Sequence, residues 1–214
     1  MERRRLDNKW RYFYALLIAI FLFIFGFLIS YSMNIFEFQR VSALQDDIFY
    51  DFYETQLSTA FFDSNVCNKT EIIDNLGESL DFQGVMLENI EQKVGKNDPR
   101  IIERKKYYTL IQLSHFEFMK KMNENCDKNK TFILFFYSND EKYIDKSERI
   151  GKVLGHFKSN NPSVFVYSFS SDSTEPLMLN LKEKYQIEDP VFVIIDEKAR
   201  FSDVENIEDL EKYL

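Results

Sequence analysis

Residues 14–29 contain no charged side chain, and the apolar character runs on through Met33 to Ile35. At 1.5 Å rise per residue, about 20 apolar residues match the ~30 Å hydrocarbon core of a bilayer. The segment is apolar all round, whereas a surface helix of a soluble domain keeps a polar face. Trp10, Tyr12 and Tyr14 lie at one end and Tyr31 near the other, where amphipathic rings meet the two interfaces. Arg3, Arg4, Arg5, Lys9 and Arg11 precede the run, and Glu37, Asp46, Asp47 and Asp51 come after it. The positive-inside rule therefore predicts a single-pass protein of the cell membrane, with a cytoplasmic N-terminus and the rest of the chain outside the cytoplasm. A cleaved signal peptide is the rival reading, with Ser30-Tyr31-Ser32 as its cleavage site. The apolar run is longer than a usual signal h-region, which favours the anchor, and both readings export the remainder of the chain.

The net charge of −8 conceals this asymmetry, because the basic cluster sits ahead of the span and the remainder is acidic. An acidic body argues against nucleic acid, since phosphate binding needs basic patches that release counterions. With 6 Gly and 4 Pro, the chain has few residues that break regular structure, so long helices and short connections are expected.

Residues 1–13 read as a basic cytoplasmic N-terminus and residues 14–35 as the transmembrane helix that contacts lipid. Residues 36–126 read as a helical region outside the cytoplasm. Its first helix carries Phe38, Val41, Leu44, Ile48 and Phe52 at helical spacing and continues directly from the span. Residues 70–94 form a second helix with Ile73, Leu76, Leu80, Leu87, Ile90 and Val94 inward, interrupted by Gly77 and Gly84. Asn97-Asp98-Pro99 is a helix start, with Asp98 as cap and Pro99 at the first helical position. The helix it opens is expected to bury Ile102, Leu110, Leu113, Phe116 and Met119 and to end near Asn125.

From Thr131 the pattern changes. Residues 131–138 and 164–169 are unbroken apolar runs, as in strands covered on both faces, and residues 191–195 form a third. Between them lie a helix over 142–160, with Ile144, Ile150, Leu154 and Phe157 inward, and a second opened by Pro176, with Leu177, Leu181 and Tyr185. Ile207, Leu210 and Leu214 mark a short final helix. Strands alternating with helices predict an α/β domain with a mainly parallel sheet.

In this element order, and in the run from Tyr185 to Pro190 that leads straight into a strand, residues 131–214 resemble a thioredoxin-like domain. The resemblance implies that Pro190 is the counterpart of that family's cis-proline. It also implies that the turn after Phe136-Tyr137-Ser138 occupies the place of the redox motif. That turn, residues 139–145, holds no cysteine, and none occurs after Cys126. A thiol–disulfide reaction needs an attacking thiolate and a resolving thiol, for which Asp140, Glu141 and Asp145 are no substitute. The arrangement of anchor, helices and this domain also resembles membrane proteins of archaea.

Cys67 and Cys126 are the only cysteines. In an oxidising exported space they are expected to form a structural disulfide, the alternative being two unpaired thiols. They are not in the C-x-x-C spacing of a catalytic pair. Asn68-Lys69-Thr70 and Asn129-Lys130-Thr131 fit the N-glycosylation pattern, which an Asn-rich chain meets by chance. His115 and His156 read as helix-face residues, neither having a second ligand at metal spacing. Residues 197–211 read as a solvated acidic helix face with Lys partners.

These readings lead to an expectation of a non-enzymatic, redox-inactive thioredoxin-like module that binds or scaffolds another exported protein, with no cofactor and no metal. The resemblance implies that the loops holding Asp140, Glu141, Asp189 and Pro190 form an acidic partner-binding surface. Two alternatives stay open. One is an accessory factor in exported thiol–disulfide chemistry that uses Cys67 or Cys126, and the other is a self-associating structural envelope protein.

Overall fold

The computed structural model describes residues 3–62, 67, 70–96, 98–126 and 129–213. Three long helices, α1 (Arg3–Phe62), α2 (Thr70–Val94) and α3 (Pro99–Cys126), precede a four-stranded sheet. The 60 residues of α1 extend about 90 Å, roughly three times the thickness of a bilayer's hydrocarbon core. Its N-terminal part is long and apolar enough to cross a membrane, and the rest of the chain buries none of that stretch. The C-terminal part turns Val41, Ile48 and Phe52 onto α2 and α3, as the spacing predicts.

Helix α2 ends at Gly95, whose φ of +94° is the left-handed conformation that glycine adopts without steric cost. Asp98 then caps α3, its Oδ1 accepting the Arg100 N–H at 2.9 Å. The two interior glycines of α2 are contact points. A Cβ on Gly84 would lie 2.7 Å from the Tyr108 hydroxyl of α3, and one on Gly77 would lie 2.9 Å from the Phe165 ring. The predicted side chain Ile73 lies outside the described side chains.

Helix α3 buries Ile101 and Ile111 against α1 and α2, and Phe116, Met119 and Met122 against the sheet. Ile102 and Leu110, expected inside, are exposed. The expectation assumed one apolar stripe, whereas α3 packs against different neighbours along its length, so its inward direction rotates.

The sheet consists of β1 (Thr131–Tyr137), β2 (Val164–Ser170), β3 (Phe192–Ile195) and β4 (Ala199–Phe201), in the order β2-β1-β3-β4. Helix α4 (Ile144–Asn160) joins β1 to β2, α5 (Pro176–Lys184) joins β2 to β3, and α6 (Glu208–Glu211) comes after β4. Phe132, Leu134, Phe136, Phe165, Tyr167, Phe169 and Ile194 pack under α3 and α5. The alternate residues Ile133, Phe135, Val193 and Ile195 pack under α4 and the α6 segment. This two-sided covering is why the strands read as unbroken apolar runs. In α5 it is Met178, not Leu177, that is buried beside Leu181 and Tyr185.

The sheet is mixed, not mainly parallel. β1 and β2 are parallel, but β3 runs antiparallel to β1, and β4 is antiparallel to β3. The β3–β4 hairpin was hidden by its turn, Asp196-Glu197, in which both residues have positive φ (48° and 57°) without the glycine that usually marks such a turn. Residues 197–211 are therefore a turn, an edge strand and a short helix, not one acidic helix.

Candidate functional site

The carboxyl ends of the parallel strands β1 and β2 meet the chain entering β3, and serine and aspartate side chains tie these segments together. Asp172, just after β2, accepts hydrogen bonds from the Ser138 hydroxyl (2.7 Å) and the Asn139 N–H (2.6 Å). Ser147 in α4 closes the same turn, accepting the Ser138 N–H at 3.0 Å and donating to the Ser138 carbonyl at 2.9 Å. The Ser171 hydroxyl lies 3.0 Å from the Tyr137 carbonyl and 2.6 Å from the Pro190 carbonyl, so it joins the ends of all three segments.

Asp140, Glu141 and Asp189 are exposed and Pro190 is half-buried. Asp140 also has a structural task. Its Oδ1 accepts the Lys142 N–H at 2.9 Å, and its carbonyl accepts the N–H groups of Tyr143 and Ile144, each at 2.9 Å, which starts α4. There is no cis peptide bond among the described residues, so the bond before Pro190 is trans, contrary to the expectation of a cis-proline. The chain reverses at Gln186, where φ is +51°, and the trans-linked Pro190 carbonyl already reaches Ser171. A trans X–Pro bond is the ordinary state, favoured by about 0.5–1 kcal/mol. Sequence reasoning missed Asp172, the carboxylate that organises this end. Its signal is the run Ser171-Asp172-Ser173, a turn composition immediately after a strand.

This end of the sheet lies beside the corner between α2 and α3. Lys96 donates to the Asn139 side chain at 3.4 Å, and Lys106 of α3 pairs with Glu175 at 2.7 Å. Burial, and then the charges of Glu91, Asp172 and Glu88, push the Tyr137 phenol above its ordinary range. The same corner reaches α1 just after its apolar stretch, through the Lys93–Glu37 ion pair at 2.5 Å and through Arg100, which lies 4.3 Å over the Phe38 ring. The candidate surface and the C-terminal end of the candidate span thus share one end of the molecule.

At the opposite end, Glu197 accepts a 2.5 Å hydrogen bond from the Tyr185 hydroxyl and pairs with Lys120. Burial opposes its ionisation, but Lys120 and Tyr185 outweigh burial and lower its carboxyl below the ordinary 4.5. His115 is buried between α3 and the sheet, its Nδ1 2.8 Å from the Tyr167 hydroxyl, while His156 is exposed on α4. Among the described residues, no three His, Cys, Asp or Glu side chains converge as a metal site. Cys67 and Cys126 lie at disulfide-bonding distance, with Cα atoms 5.5 Å apart and a separation of 59 positions in sequence. They tie the segment before α2 to the end of α3, away from the turn after β1. Asn129 is exposed, whereas Asn68 lies outside the described residues.

Compared with known proteins, the chain matches no family model, no curated protein and no solved structure.

Proposed function

We propose that this chain is a membrane-anchored, redox-inactive thioredoxin-like module, carried outside the cytoplasm, that binds another exported protein at the carboxyl ends of β1 and β2. The observation that carries the reading is a turn after β1 that is fully built and hydrogen-bonded, in the place of a redox motif, yet contains no cysteine. The order strand, helix, strand, helix, strand after Thr131, with helices on both faces of the sheet, supports the reading. Ligands of open α/β sheets bind near the carboxyl ends of strands, and Asp140, Glu141, Asp172 and Asp189 make that end acidic. An acidic surface beside the outer end of the span suits a basic or polar segment of a partner that is itself held at the membrane. The pairing of Cys67 with Cys126 leaves neither as a free thiol, which weighs against an accessory thiol role. A self-associating envelope protein is separated from the main reading by the identity of the partner.

The test uses the full chain in native membranes. Glu141→Lys with Asp189→Lys, leaving Asp140 to close the turn ahead of α4, should abolish co-purification of the partner after mild detergent extraction and leave the thermal unfolding transition in place. The purified chain should show no disulfide reductase activity. Unchanged co-purification, or reductase turnover, contradicts the proposal.

A further inference from the structure

Where α1 leaves its apolar stretch it does not pack flush against α2. A groove of about 580 Å³ separates them, lined by Ser32, Met33, Phe36, Glu37 and Arg40 of α1 and by Met86, Asn89 and Lys93 of α2. The α1 residues recur at helical spacing on one face, and so do those of α2, so each helix gives one stripe to the groove. The groove carries exposed apolar surface, with Phe36 68% and Met33 61% exposed. Contiguous apolar surface of this kind marks a contact with a partner or a membrane.

The chemistry of the groove changes along its length. Met33 and Phe36 lie at its membrane end, in the last turn of the apolar stretch. Arg40 lies about 10 Å further along α1, at 1.5 Å per residue. It is held there over the Phe82 ring at 5.9 Å. Between them, Lys93 pairs with Glu37 Oε1, while Glu37 Oε2 is buried without a hydrogen-bond partner. Two cations and one carboxylate leave a net positive charge at the polar end.

We propose that this groove is a phospholipid site. An acyl chain lies along Met33 and Phe36, and the phosphate lies against Arg40 and Lys93. Apolar at the bilayer end and cationic at the other, the groove has the polarity of a lipid standing in a leaflet. The net positive charge favours an anionic phospholipid such as phosphatidylglycerol over the zwitterionic phosphatidylcholine. The site requires only that α1 cross the membrane and is independent of the partner-binding proposal.

Native mass spectrometry of the full chain in mild detergent tests this, with dioleoyl phosphatidylglycerol and dioleoyl phosphatidylcholine as probes. The wild-type chain should retain one phosphatidylglycerol at least fivefold better than phosphatidylcholine. Arg40→Gln should reduce that retention about tenfold. Asn89→Trp, which fills the groove from the α2 side, should do the same. Lys152→Gln, on the surface of α4, should change nothing, and excess inorganic phosphate should not displace the lipid. Equal retention of the two lipids, retention unchanged in either groove variant, or displacement by phosphate alone overturns the proposal.

Discussion

Glu197 stands in a left-handed turn position that glycine fills at lower conformational cost. Its carboxylate compensates by joining three elements, the hairpin turn, α3 through Lys120 and α5 through Tyr185. The lowered carboxyl fixes the sign of the pH dependence. A folded value below the ordinary 4.5 stabilises the protein above that value and loses the contribution as pH falls through the folded value. Glu197→Gln should therefore cost about 1 kcal/mol at neutral pH, a figure discounted for the partial exposure of the cluster. That difference should shrink in urea titrations taken below pH 4.5. Asp140 calls for a different pair of substitutions, because its side chain is both a surface charge and an acceptor that closes the turn ahead of α4. Asp140→Asn keeps an acceptor for the Lys142 N–H and should leave stability nearly unchanged, whereas Asp140→Ala, which removes that hydrogen bond, should cost about 1 kcal/mol in the same titration.

At the scale of elements, α3 connects the two halves of the protein. Its Phe116, Met119 and Met122 belong to the core under the sheet, and its Ile101 and Ile111 belong to the helical bundle. A fragment of residues 131–214 leaves Phe132, Phe165 and Tyr167 without their α3 cover. It should lack a cooperative thermal transition, which a fragment beginning ahead of α3 should regain. The Cys67–Cys126 link holds the far end of the same helix. A closed loop of 59 residues stabilises by about 4 kcal/mol in the chain-entropy treatment. Cys67→Ser should lower the urea midpoint accordingly, and reductant should lower the midpoint of the wild-type chain while leaving that of the variant unmoved.

Across the whole molecule, the features legible in the sequence are those set by local pattern. The apolar run of residues 14–35, the Asp98-Pro99 helix start and the three buried strands arise from periodicity and capping alone. What escaped depends on contacts between distant residues. The inward face of α3 is decided by two different neighbours. The hairpin turn at Asp196-Glu197 is held by Lys120 and Tyr185 in place of glycine. Asp172 acquires its role only because β1 and β2 lie side by side in the folded sheet. That the end of the sheet carrying Asp140, Glu141 and Asp189 lies beside the C-terminal end of the candidate span was not legible either. That position rests on the Lys96–Asn139 and Lys106–Glu175 contacts, which join the helical bundle to the sheet.

The position of the surface gives the account its most direct test. A photo-activated cross-linking side chain placed at position 189 of the full chain, in intact membranes, samples whatever rests against the carboxyl ends of β1 and β2. The expected product is a discrete adduct with a different, membrane-held protein, lost when Glu141 is changed to Lys and weakened as salt rises. An adduct that survives Glu141→Lys, or cross-links only to a second copy of this chain, contradicts it.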